Sequence, residues 1–140
     1  MDPAELWRFL LIGYFFSIAI ETPVLLVGLS ARHSMKVRIF SGIWLTACTY
    51  PIVILVMPLL ITPDPDVLLS PPFDFMTMRC LYLLVAETFA PVAECALFWL
   101  AFGSKEEWGK KSMWRDFITI TLGNLASFGA GEFVYWMGWW

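Results

Sequence analysis

Four stretches of the chain, residues 7–29, 39–61, 80–102 and 117–137, are apolar over the roughly 20 residues an α-helix needs to cross a bilayer. No other feature narrows the fold as much. Inside hydrocarbon every backbone N–H and C=O must be satisfied within the protein, so an unbroken apolar run of this length is a helix. With 59% of the 140 residues hydrophobic and 15% charged, little chain is left for a soluble domain. The expected fold is all-α, a polytopic membrane protein with one domain over residues 1–140. It divides into a hairpin at 7–61, an interfacial loop at 62–79 and a second hairpin at 80–138.

Charge placement sets the expected orientation. Arg32, Lys36 and Arg38 fall between the first two spans, and Lys105, Lys110, Lys111 and Arg115 between the last two. The middle connection carries Asp64, Asp66 and Asp74, with Arg79 its only base. By the positive-inside rule, loops 30–38 and 103–115 are cytoplasmic and both termini lie outside. Trp136, Trp139 and Trp140 would anchor the outer interface, with Trp108 and Trp114 near the inner one. The acidic start Met1-Asp-Pro-Ala-Glu5 does not read as a cleaved leader. The expected location is a cytoplasmic membrane of bacterial or archaeal type, an inner membrane.

The two hairpins read as tandem copies. Placing Arg38 on Arg115 makes Arg, Phe, Ile and Leu coincide across 38–50 and 115–127, and brings Thr46, Thr49 and Tyr50 near Asn124 and Ser127. Allowing four more residues in the second basic loop pairs Glu21 with Glu94. Units with an even number of spans enter the membrane the same way, which implies a parallel pseudo-repeat about the bilayer normal.

Glu21, Glu87, Glu94 and Glu132 lie within the spans, and away from the span ends no Lys or Arg accompanies them. A carboxylate in hydrocarbon is expensive and marks an ion path, a proton relay or a helix contact. Glu21 and Glu94 lie about nine residues from the cytoplasmic ends, hence about 13 Å deep, and Tyr50 and Asn124 lie at similar depth on the returning helices. These make one expected polar layer, supported by Thr46, Thr49 and Ser127. Glu87, two turns from Glu94 on one helix face, forms a second layer with Glu132. Such acids must be protonated and hydrogen-bonded, face water, bind a cation or meet a base from another chain.

Pro23, Pro51 and Pro91 interrupt the spans near these layers and would free the carbonyls of Ala19, Ala47 and Glu87, possible ligands for a hard cation. Small residues beside the acids, Ala86, Ala90 and Ala93 in the third span and Ser127 with Gly131 in the fourth, imply close helix approach.

Other chemistries find little footing. Cys48, Cys80 and Cys95 are odd in number and lack CxxC spacing, so neither a disulfide framework nor a zinc site is expected. His33 is the only histidine, too few for a haem or di-iron bundle. There is no GxGxxG or Walker A sequence. No enzymatic activity, cofactor or nucleic-acid partner is expected. Bound metal, pigment, quinone or lipid is not specified, although the basic loops could meet anionic head groups, and Asp64 with Asp66 could hold a weak calcium ion.

The expected function is a small oligomeric channel or transporter handling cations or protons through these carboxylates. The alternative is an accessory or assembly subunit of a larger membrane complex, with the acids at contacts to partner helices. Membrane lipid, further copies of the chain or partner subunits are the expected neighbours.

Overall fold

The computed structural model describes residues 3–61 and 75–138. Helix α1 spans Pro3–Gly28 and α2 spans Met35–Pro51. A π-helical turn at Ile52–Val56 leads into α3 at Met57–Ile61, followed by α4 at Phe75–Phe102 and α5 at Lys111–Trp136. Four helical segments are long and apolar enough to cross a membrane: Leu10–Gly28, Met35–Ile61, Arg79–Phe102 and Lys111–Trp136. The second is the continuous run of α2, the π turn and α3. Asp64, Asp66, Asp74, Val67, Leu68, Leu69, Phe73, Trp139 and Trp140 lie outside the described residues.

All four long helices begin earlier than hydropathy suggests, and at α2 and α5 capping and polar contacts hold turns that are not apolar. Ser34 caps α2, its hydroxyl accepting from the Val37 N–H at 3.4 Å. The start of α5 at Lys111 brings Arg115 and Asp116 into the helix. Pro23 and Pro91 sit within helices that continue through them, whereas Pro51 adjoins the π turn. There the Met57 N–H donates to the Ile52 carbonyl, and the Tyr82 hydroxyl donates to the Val53 carbonyl at 3.0 Å.

The helices form an antiparallel bundle in which α1 packs most extensively against α5 and α2, while α4 contacts the same two helices less extensively. Large apolar side chains face outward around it: Val27 and Leu100 are each 80% exposed, and Phe15, Leu84, Val92 and Phe133 are also exposed. Such a surface is stable only against lipid or another apolar partner. The interior is layered. Leu25, Leu29, Leu45, Phe98 and Ile120 form a buried apolar cluster toward the end of the bundle that bears the two short loops. Buried Glu21, Thr46, Thr49, Glu94 and Asn124 follow immediately above it.

The glycines mark where helices come closest. A Cβ on Gly42 would stand 3.0 Å from the Thr22 Cα, so α1 and α2 meet backbone to backbone there. At Gly131 and Gly129 a Cβ would meet nothing within 4 Å. The expected small-residue contact of Ser127 with Gly131 is therefore not a helix seam, because Gly131 borders a cavity instead.

Candidate functional site

A cavity of about 280 Å³ runs along the bundle interior above the apolar cluster. Glu21, Glu87, Glu94 and Glu132 all line it, as do Tyr50, Thr46, Thr49, Asn124 and Ser127. The nine residues singled out by depth and polarity thus share one space, although they do not share one role.

Glu21 and Glu94 are the most enclosed of the four glutamates, 5% and 2% exposed. The Thr46 hydroxyl lies 2.7 Å from Glu21 Oε2, and the Ser127 hydroxyl lies 2.6 Å from Oε1. The Thr49 hydroxyl lies 2.7 Å from Glu94 Oε1, and Asn124 Nδ2 donates to Oε2 at 2.7 Å. Thr46 and Thr49 are three residues apart in the second span, as Asn124 and Ser127 are in the fourth. The pairing is crossed, which holds the two carboxyl groups at one level.

Each of the three hydroxyls also reaches a backbone carbonyl of its own helix: Thr46 that of Gly42 at 2.8 Å, Thr49 that of Leu45 at 3.1 Å and Ser127 that of Asn124 at 2.9 Å. A hydroxyl has one proton to give and can also accept. When a glutamate is ionised, the hydroxyl donates to the carboxylate. When the glutamate is protonated, its O–H donates to the hydroxyl, which turns to its own carbonyl. Rotation of a hydroxyl therefore satisfies either state without moving a helix. Tyr50 stands apart from this shell, contrary to expectation, and among the described residues it bonds to neither acid. Its ring is too long to stop at the layer; it passes to α1, where Gly13 leaves room for the phenol oxygen. The two threonines fill the position expected of it.

Glu87 is half-buried between the inner pair and the far end of the cavity, which it lines with Glu21 and Glu132. It hydrogen-bonds to no other described residue. Glu132 differs from the other three. Arg79 Nη2 donates to Glu132 Oε1 at 2.8 Å and Oε2 at 2.7 Å, and the guanidinium lies 4.6 Å from the Tyr135 ring centroid. The expectation that no base of this chain reaches the acids fails here. Hydropathy ends the third span at Cys80, but the helix extends outward through Arg79, whose long stem returns the charge to the cavity mouth.

Among the described residues no three or more His, Cys, Asp and Glu side chains converge as metal ligands. The acids stand along the cavity rather than around a point. All three cysteines are free thiols.

A second polar cluster lies at the opposite end, and the sequence reading passed over its centre. Asp116 is fully buried. Its Oδ1 accepts from the Ser30 N–H at 2.7 Å, and its Oδ2 from the Ser30 hydroxyl at 3.1 Å and Arg32 Nη2 at 2.8 Å, with His33 Nε2 at 3.0 Å. The side chains of Ser30 and His33 both address the carboxylate. Arg38 donates to the carbonyls of Leu26, Ser30 and His33, and Arg115 to that of Gly28. Charge placement alone reads these bases as topology signals. The available clue was Asp116 itself, an acid among Lys110, Lys111 and Arg115.

Comparison with protein-family models, curated proteins and solved structures found no match, so the functional reading rests on geometry.

Proposed function

We propose that this chain is a small integral membrane protein that translocates protons, as a channel or transporter, through the glutamate-lined cavity. The observation that carries the reading is the hydroxyl shell around Glu21 and Glu94, which keeps a complete set of hydrogen bonds whether those acids hold a proton or have lost it. Intramembrane acids that bind and release protons are the expected components of such a relay. Glu87 continues it toward the end bearing the termini, where Glu132 lines the cavity in an ion pair with Arg79. A metal cation is the less favoured cargo, because the acids are spread along the route and each inner carboxylate oxygen is engaged by a hydroxyl or amide. In this reading the two basic loops are cytoplasmic, the hairpins are parallel repeats and the working unit is an oligomer.

The apolar cluster of Leu25, Leu29, Leu45, Phe98 and Ile120 separates the cavity from the short-loop end. A full crossing therefore requires these side chains to part, as in a gated transporter rather than an open pore. In proteoliposomes with an entrapped pH dye, Glu94→Gln should abolish proton flux while the protein stays folded and monodisperse. Unchanged flux in that variant overturns the proposal.

A second reading, an accessory subunit, draws on a groove on the outer face of the third and fourth spans. Pro91, Val92, Trp99, Trp108 and Phe117 line it, and Glu87 belongs to both groove and cavity. A partner helix seated there would reach that carboxylate. Stoichiometric co-purification with another membrane subunit in mild detergent supports this reading, and a homo-oligomer alone counts against it.

A further inference from the structure

We propose that Arg79 is a tethered counter-ion that excludes metal cations from the cavity mouth, making the route selective for protons. The inference deepens the proton reading and rests on it for its functional meaning, but it concerns the charge at the mouth alone.

Among the described residues the cavity is lined by four glutamates and by no Lys, Arg or His. Such a lining attracts any cation able to enter, because a cleft of one charge sign concentrates ions of the other. Of the four acids, Glu132 lies nearest the start of α4 and the end of α5, its side chain 36% exposed, which leaves it open to a hydrated cation arriving from that side. Arg79 already occupies that position. One guanidinium nitrogen lies within 2.8 Å of both Glu132 oxygens, and the Tyr135 ring supports the guanidinium from its face. The side chain of Arg79 is 25% exposed, so it stands at the boundary and not deep in the path.

A metal cation can bind Glu132 only by displacing a covalently tethered guanidinium, and it must approach that positive charge to do so. A proton is carried by water and hydroxyl exchange, and needs neither to displace Arg79 nor to shed a hydration shell. The pair thus neutralises the mouth while the inner acids remain available. Glu132 holds the counter-ion in place, and Glu21, Glu87 and Glu94 carry the proton.

The test measures charge selectivity at the mouth, independently of flux. Full-length protein in proteoliposomes carries Ser17→Cys as a reporter in the cavity wall, with Cys48, Cys80 and Cys95 replaced by Ser. It is treated with a cationic and a neutral methanethiosulfonate reagent. With Arg79 present, the cationic reagent should react no faster than the neutral one; Arg79→Gln, which unmasks the Glu132 charge, should raise the cationic rate by about tenfold and leave the neutral rate within about twofold. Arg79→Lys should keep most of the discrimination, and Glu132→Gln, which leaves the guanidinium unneutralised, should slow the cationic reagent further.

An unmoved ratio of cationic to neutral rates in Arg79→Gln overturns the proposal. So does an equal rise in both rates, which marks a steric plug, or a reporter that neither reagent reaches. Failure of the proton reading is separate: it appears as unchanged proton flux in Glu94→Gln and leaves these ratios as they are.

Discussion

Glu21 and Glu94 hang from the same two spans in crossed order: Glu21 takes Thr46 and Ser127, whereas Glu94 takes Thr49 and Asn124. Each acid thereby ties the second span to the fourth. Replacing Thr49 with the isosteric Val removes one partner of an enclosed carboxyl group without opening a void, and should cost about 1–3 kcal/mol. Thermal unfolding in detergent measures this directly. Thr49→Ser keeps the hydroxyl and should recover most of the loss. In a double-mutant cycle with Glu94→Gln the two changes should be non-additive, since they share one contact. Additive losses would mean that Thr49 stabilises the bundle by packing alone.

Asp116 organises the opposite end. It receives the Ser30 backbone and hydroxyl and faces Arg32 and His33, so a single carboxylate fixes the turn between the first two spans. Asp116→Ala strips partners from a buried N–H and breaks a largely enclosed ion pair, and should destabilise by about 3–5 kcal/mol. Asp116→Asn can keep an acceptor for Ser30 but loses the charge, so it should fall between Ala and the unaltered chain. Hydrogen exchange at residues 29–34 should report the loss before global unfolding does, because the effect begins in that turn.

Much of this arrangement was legible in the sequence, for a physical reason: hydrocarbon makes both long apolar runs and isolated acids conspicuous. Depth counted from the basic loops placed Glu21, Glu94 and Asn124 together, since a helix rises regularly. That count could not choose between Thr46, Thr49 and Tyr50, which lie within five consecutive residues. The choice depends on how far each side chain reaches and on the space that Gly13 leaves in a neighbouring helix. Arg79 and Asp116 escaped for a related reason. Both sit just beyond the apolar windows, in helical turns stabilised by the polar contacts they make themselves, and composition cannot reveal such turns. The orientation in the membrane and the hairpin repeat remain readings of charge and alignment.

Gly42 and Gly131 offer a contrast that separates packing from cavity. At Gly42 an added Cβ would press on the Thr22 backbone and its side-chain oxygen, which is buried and has no hydrogen-bond partner among the described residues. Backbone on both sides cannot yield as a flexible side chain can, so Gly42→Val should force α1 and α2 apart at a cost of about 1–3 kcal/mol or more. At Gly131 the same atom meets nothing within 4 Å, and the space it enters is the cavity wall near Glu132. Gly131→Ala should leave stability unchanged or raise it by up to about 1 kcal/mol, because alanine favours a helix where glycine does not. Thermal unfolding of the two variants side by side checks the pair. Equal destabilisation at both positions would mean that the fourth span is packed along its whole length and that the cavity beside it is closed in the membrane.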